Sequence, residues 1–185
     1  MSVVTPKFRV SYPNVFKAKL NELSGKEEFS LNAIFEPGTD LKVLKEAAQA
    51  EIVKKWGADK DKWPKNLRTP FRPSEDLEKE GSLPAGHEKG SLFVRLKANR
   101  RPQVVDASVQ PVLDEADFYS GCYARADVNA YAYDHKGNRG VAFGLNSVQK
   151  MAEGEALSGS ARPAEQAFKA VETSGESSSA SDLFS

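Results

Sequence analysis

The sequence predicts a mainly β protein: an antiparallel barrel with one or two helices, followed by a disordered acidic C-terminal tail. Residues 118–134 carry the strongest signal, because small apolar residues alternate there with aromatic or polar ones, as in a strand with one buried face. Residues 40–56 switch to a helical period. After Met151 the composition changes to Ala, Gly, Ser and Glu with few large apolar residues, which is typical of disorder.

The first elements are predicted from residues 27–57. Residues 27–36 alternate like a strand, which Pro37 and Gly38 end. The helix over 40–56 can be capped by Thr39 or Asp40 and ended by Gly57. Its apolar positions recur every three to four residues: Leu41, Leu44, Ala48, Ile52 and Trp56.

The remaining elements are mostly strands. Residues 59–90 are rich in Pro, Gly and charge and are interpreted as a long irregular excursion. Strands are then predicted at 91–99, 103–106, 108–113 and 119–133. The turn signal HKGN at 135–138 and the apolar alternation after it make a β-hairpin. Several strands with one helix near the start favour an OB-like barrel.

Bulk composition limits the possible classes of protein. The 185 residues suit one domain over 1–151 with a tail over 152–185. No apolar run is long enough to span a membrane, and one cysteine, Cys122, allows no internal disulfide, so we expect a cytoplasmic protein. The net charge is zero overall, but residues 1–151 hold 24 basic against 20 acidic residues (+4) and residues 152–185 hold 2 against 6 (−4).

Two predicted strands have outer faces suited to nucleic acid. On the strand at 91–99, Leu92, Val94 and Leu96 form the apolar row, and aromatic and cationic residues face outward. Aromatic side chains on such a surface can stack on bases, and cationic ones can neutralise phosphates. The predicted DNA contacts are Arg95, Lys97, Arg100, Arg101, Tyr119, Tyr123, Arg125, Tyr131 and Tyr133 on or beside these strands, and Phe71 and Arg72 in the excursion.

Simpler interpretations of the same residues remain open. Outward tyrosines in an antiparallel sheet often cover a second layer, here the helix at 40–56. A run such as Arg100 and Arg101 is usually only a solvated face. The excursion is either a packed loop over one end of the barrel or a flap that closes over a bound strand.

The chain also resembles a known family. The segments FRVSYPNVFKAK and FSLNAIFEP, the block from Phe118 to Lys150 and an acidic tail ending near a Phe are similar to the single-stranded DNA-binding proteins of tailed bacteriophages. The most specific part is the GxxxGLNxxQ spacing that begins at Gly140. The resemblance implies an OB-fold body, over residues 8 to about 151, that coats single strands during replication or recombination without catalysis.

The resemblance also implies a role for the tail. Acidic tails of strand-coating proteins dock replication and recombination partners and compete with DNA. Asp182, Leu183 and Phe184 are the predicted partner-binding residues, although Ser185 follows Phe184 here. The predicted partners are therefore single-stranded DNA and, through the tail, phage or host proteins.

Two other functions are kept as alternatives. A divalent-metal-dependent nuclease would use Lys97 with the acidic residues Asp106, Asp114, Glu115 and Asp117. No phosphate-binding loop precedes the DEAD sequence at 114–117, and the isolated His87 and His135 have no zinc-ligand spacing, so no cofactor or metal is expected. The third possibility is an adaptor whose tyrosine face binds another protein.

Overall fold

Residues 2–157 form an eight-stranded β structure closed into a barrel, with one α-helix. The computed structural model describes residues 2–157. The strands are β1 (Val3–Val4), β2 (Phe8–Asn21), β3 (Lys26–Phe35), β4 (Arg72–Pro73), β5 (Leu92–Ala98), β6 (Gln103–Val105), β7 (Tyr123–His135) and β8 (Asn138–Ala152). The helix, α1, spans Lys42–Trp56.

Five strands close the barrel in the order β2, β3, β5, β8, β7 and back to β2. All these pairs are antiparallel except β5 with β8, which is parallel. A closed five-stranded barrel of this kind is an OB fold, so the predicted fold class is confirmed. Alternation along each strand places one row inside, which makes the core: Phe8, Val10, Leu31, Phe35, Val94, Leu96, Ala124, Val128, Val141 and Phe143.

The helix ends at Trp56 as predicted, but it begins at Lys42, with Leu41 rather than Thr39 or Asp40 at the N-cap position. The Asp40 carboxylate accepts a hydrogen bond from the Lys42 N–H, and Gly57, at a positive φ of 92°, donates its N–H to the Val53 carbonyl. Leu44 and Ala48 are buried in the barrel core. No helix within residues 2–157 is long and apolar enough to cross a membrane.

Two predicted strands are corrected, and one strand was missed. Strand β2 was not predicted as an element, because Pro13 and an irregular register interrupt its alternation. Residues 108–113 form no strand; they fold back as a turn, with a single bridge between Val105 and Pro111. The long strand starts at Tyr123 rather than residue 119, since residues 119–121 form a turn.

The chain stays in contact with the barrel beyond the end of β8. The Leu157 N–H bonds to the Ser120 carbonyl, and the Glu155 carbonyl accepts from Arg9. The predicted boundary at 151/152 therefore precedes residues that the structure places against the barrel. The predicted disorder of the tail and the residues Asp182, Leu183 and Phe184 lie outside the described residues.

Candidate nucleic-acid interface

A long open groove of about 1940 Å³ runs over the outer surface of the barrel. Its floor includes the outer faces of β3 and β5, and the β2–β3 and β7–β8 hairpins contribute residues at its sides. Part of the excursion, residues 67–87, forms a wall. In OB folds this face, with the loops joining strands 1–2 and 4–5, is the one that binds oligonucleotides.

The centre of the groove carries two cations on β5. Arg95 and Lys97 follow one another on its outer face, and their side chains are 52% and 38% exposed. Both contact Glu28 of β3: its Oε1 lies 3.2 Å from the Arg95 guanidinium and 3.8 Å from the Lys97 amine. Glu28 therefore holds the two cations together, while much of each remains accessible.

Two tyrosines of β7 lie beside this centre. Tyr131 is 42% exposed, and burial, then the charge of Glu28, raises its pKa. Across the hairpin, Tyr131 pairs with Ala142 and Tyr133 with Gly140, so β8 presents only small residues under the rings. A Cβ on Gly144 would lie 3.9 Å from the Tyr131 ring, and one on Gly140 would lie 2.7 Å from the Tyr133 hydroxyl. The Tyr133 hydroxyl therefore requires a glycine at position 140, whereas 3.9 Å is an ordinary contact distance and the Tyr131 ring leaves room for a Cβ at position 144.

The excursion is fixed to the barrel at two points near the groove. Arg68 pairs with β8, donating its N–H to the Arg139 carbonyl and accepting from the Val141 N–H. The Phe71 ring packs edge-on against the core ring of Phe143, with 5.8 Å between centroids. Because Phe71 is partly buried, its ring serves packing as well as lining the groove.

Arg72 covers one end of the β5 outer face. Its guanidinium lies 5.0 Å from the centroid of the Phe93 ring, and its Nε lies 3.7 Å from the Asp76 carboxylate. Phe93 is only 4% exposed, since His87 also packs edge-on against it. Phe93 belongs to the row of β5 that the sequence predicts to face outward, but part of the excursion covers this end of the strand and buries the ring.

Polar contacts hold this part of the excursion together. The buried Ser74 hydroxyl lies 2.7 Å from His87 Nδ1 and 2.6 Å from the Ser91 hydroxyl. Burial lowers the pKa of His87, which favours the neutral ring.

Six predicted contacts line the groove and five do not. The lining residues are Arg95, Lys97, Tyr131, Tyr133, Phe71 and Arg72. Arg100 and Arg101 follow β5, where Arg101 stacks 5.5 Å over the Phe16 ring. Arg125 donates to the Gln149 side chain on another part of the barrel. Arg100 and Arg101 therefore do not extend the cationic surface of Arg95 and Lys97 within the groove.

Tyr119 and Tyr123 occur where the C-terminal segment returns to the barrel. The Tyr119 hydroxyl bonds to the Glu153 carboxylate and accepts from the Gly154 N–H, and burial raises its pKa. The Tyr123 ring lies 5.2 Å from the Lys7 amine and 5.7 Å from the Arg9 guanidinium. Both rings therefore have partners within the protein.

Sequence reasoning missed one residue that lines the groove, Tyr12, and one that contacts its cations, Glu28. Glu28 lies within a predicted strand, but its role depends on the neighbouring strand, which spacing cannot reveal. Tyr12 belongs to the unpredicted β2 and lines the groove. The Tyr-Pro-Asn sequence at 12–14 was the available signal, because such residues interrupt a strand where its direction changes.

The acidic residues of the nuclease alternative have local structural roles. Asp106 accepts the N–H groups of Ser108 and Gln110, and Asp114 accepts that of Ala116. Within residues 2–157, no three acidic, His or Cys side chains come close enough to hold a metal ion. The geometry therefore gives the nuclease no support.

The fold and groove define the class of protein: an OB-fold barrel with an exposed aromatic and cationic face. A family model described as Enterobacter phage Enc34, ssDNA-binding protein, matches residues 1–178. The chain belongs to this family, which confirms the resemblance inferred from its motifs.

One relative is similar in sequence, and two solved structures are similar in fold. The chain is 29% identical over 170 residues to putative protein p50 of Acyrthosiphon pisum secondary endosymbiont phage 1, covering 86% of this chain and 88% of that protein. The solved structure of the single-stranded DNA-binding protein from bacteriophage Enc34 in complex with ssDNA matches with a TM-score of 0.65 at 16% identity, over 85% of this chain and 89% of the other. The gp2.5 single-stranded DNA-binding protein encoded by bacteriophage T7 matches with a TM-score of 0.55 at 13% identity, covering 86% and 96%.

Proposed function

We propose that the protein binds single-stranded DNA without reading its sequence and without catalysis, and so protects strands during phage replication or recombination. The observation that carries this proposal is the groove itself: Arg95 and Lys97 at its centre beside the Tyr131 and Tyr133 rings, on the OB-fold face that takes oligonucleotides. Family membership supports the same function.

The chemistry of the groove suits a single strand. Arg95, Lys97 and Arg72 offer positive charge to phosphates, while Tyr131 and Tyr133 offer aromatic faces to bases. Every base has a π face, so stacking of about 1–3 kcal/mol per base gives affinity without sequence preference. A duplex hides its bases from such rings, and we therefore expect single strands to bind more tightly.

The protein partners remain a prediction. In a phage-infected cell the protein would act in the host cytoplasm, where phage DNA is copied. The acidic tail, with Asp182, Leu183 and Phe184, would recruit replication or recombination proteins and compete with DNA for the cationic groove. Truncation after Leu157 keeps every residue that the structure places against the barrel and removes the tail alone.

A binding titration tests the proposal. The intact protein is titrated into a labelled oligothymidine and into a matched duplex, with and without Mg²⁺, and the DNA is checked for cleavage. We expect retention of the intact single strand and weaker retention of the duplex. Metal-dependent shortening would instead support the nuclease, and no retention of either DNA would support the adaptor.

A matched pair of variants locates the binding face. Arg95→Ala removes a groove cation, whereas Arg125→Ala removes an exposed cation that lies elsewhere on the barrel. Each phosphate contact contributes about 0.7 to the salt slope for single strands. We expect Arg95→Ala to lower the slope by roughly that amount and Arg125→Ala to leave it unchanged; the reverse result would move the interface off the groove.

A further inference from the structure

Tyr12 is an exposed aromatic residue in the groove that the proposed function has not used. Its relative exposure is 69%. Within residues 2–157 its side chain makes no hydrogen bond or aromatic contact; only its carbonyl is used, by the Asn14 amide. Resting on the proposed function, we propose that Tyr12 is a second base-stacking platform, separated from Tyr131 across the binding face.

A β-bulge directs Tyr12 into the groove. Phe8 and Val10 point into the core, and simple alternation would place Tyr12 there too. The pairing runs from Ser11 with Asn32 to Asn14 with Ser30, so two residues, Tyr12 and Pro13, lie opposite one residue of β3. After the bulge the next fully buried residue is Val15, which lies at an odd instead of an even position. Bulges of this kind commonly redirect a side chain beside a functional site.

The backbone at Tyr12 supports a functional role. Its φ is 47°, in the left-handed region that residues other than Gly, Asn and Asp rarely adopt. The other three such residues between residues 2 and 157, Glu80, Val109 and Lys136, lie in turns or bends, whereas Tyr12 lies within a strand. Strained conformations of this kind cluster at binding and catalytic sites. A single exposed ring alone would mean little, because scattered apolar surface residues are common. Here the strained backbone and the groove position coincide.

The position of Tyr12 complements that of Tyr131. Strands β2 and β7 pair directly only at Phe8 and Arg9, at the other end of β7 from Tyr131. The pairing register leads from Tyr12 to Tyr131 through the strands in the order β2, β3, β5, β8 and β7. Tyr12 lies on the first strand, Arg95 and Lys97 on the middle one, and Tyr131 on the last. Four strand spacings of about 4.8 Å separate the outer two, or roughly 19 Å along the curved surface. A bound strand therefore crosses the cations between two stacking positions several nucleotides apart.

The test compares Tyr12→Ala with Tyr12→Phe and a matched control. The control is Val109→Ala, because Val109 is also exposed (65%) with a positive φ of 61°, but it does not line the groove. Affinities are measured by fluorescence anisotropy for oligothymidines of about 16 and about 4 nucleotides, the range of OB-fold site sizes. Thermal unfolding of each variant is recorded in parallel.

We expect Tyr12→Ala to weaken binding of the longer oligonucleotide by about 5- to 150-fold, the effect of losing one stacked base. The loss should be smaller for the short one, which cannot reach both platforms. Tyr12→Phe keeps the ring and should bind like the wild type, as should Val109→Ala. The unfolding midpoint of Tyr12→Ala should change little, since most of the residue is exposed.

The outcomes separate the two proposals. If Tyr12→Ala binds both oligonucleotides like the wild type while Tyr131→Ala binds weakly, the role of Tyr12 is overturned and the proposed function stands. If the wild type binds no single strand, the proposed function fails. Should Tyr12→Ala also unfold at a lower temperature, photo-cross-linking of an iodouracil-substituted oligonucleotide to the wild type decides: a cross-link at residue 12 supports the inference, and its absence overturns it.

Discussion

Gly140 and Gly144 allow one substitution, Gly to Ala, to be compared at two positions of β8. A Cβ on Gly140 would lie 2.6 Å from the Arg68 carbonyl oxygen and 2.7 Å from the Tyr133 hydroxyl. A Cβ on Gly144 would meet nothing closer than 3.8 Å. Gly140→Ala must therefore displace the excursion backbone, whereas Gly144→Ala fits the space available.

The two substitutions should change stability in opposite directions. Forcing an extra carbon into a packed site costs about 1–3 kcal/mol. Replacing a glycine whose backbone tolerates alanine stabilises by about 0.4–1 kcal/mol, because the unfolded chain loses freedom. We therefore expect Gly140→Ala to lower the free energy of unfolding by about 1–2 kcal/mol, and Gly144→Ala to leave it equal or slightly higher.

Urea denaturation of both variants and the wild type measures this difference, with the oligonucleotide affinity recorded on the same samples. Gly140→Ala should also bind DNA less tightly, because it disturbs both Tyr133 and the wall of the groove. Equal changes in stability for the two variants would show that the close approach of Arg68 and Tyr133 to β8 is wrong.

Two further predictions concern charge in and beside the groove. Replacing Glu28 by Gln removes a carboxylate that faces Arg95 and Lys97 and repels a bound phosphate. For a phosphate about 6 Å away, at an effective dielectric constant near 50, the loss of this repulsion is worth about 1 kcal/mol, so the affinity for DNA at low salt should rise roughly fivefold. An unchanged affinity would place the phosphates elsewhere. Burial lowers the pKa of His87 from its ordinary 6.5, so the unfolded chain takes up a proton at higher pH than the folded one. The contribution of neutral His87 to the free energy of unfolding is therefore complete above about pH 6.5 and decreases as the pH falls below that value. His87→Gln, which can still bond to Ser74, should reduce this pH dependence of the free energy of unfolding, measured by urea titrations at several pH values.

Local patterns were sufficient to predict the helix and the last hairpin. Asp40 and Gly57 mark the ends of the helix with side-chain and backbone chemistry that acts within one turn. The alternation of Val141, Phe143 and Leu145 likewise identifies the buried face of β8. These features depend on neighbours along the chain, so sequence alone determines them.

Position around the barrel was not predictable in the same way. Alternation along β7 assigns Tyr123 and Tyr131 to the same outer row, and both do face outward. The strand coils around the barrel, however, so Tyr131 lies in the groove while Tyr123 packs beside Lys7 and Arg9. The two-residue period distinguishes inside from outside; the position of a side chain around the barrel depends on strand coiling and pairing.

The most direct test of the proposed interface uses these two tyrosines, which share a strand and an outer row. Tyr131→Ala and Tyr123→Ala are compared for oligothymidine affinity over a range of salt concentrations, with thermal unfolding as the check on folding. We predict that Tyr131→Ala loses about 1–3 kcal/mol of binding free energy with little change in unfolding, while Tyr123→Ala keeps wild-type affinity. If Tyr123→Ala loses affinity and Tyr131→Ala does not, DNA binds the other side of the barrel and the assignment of the groove is wrong.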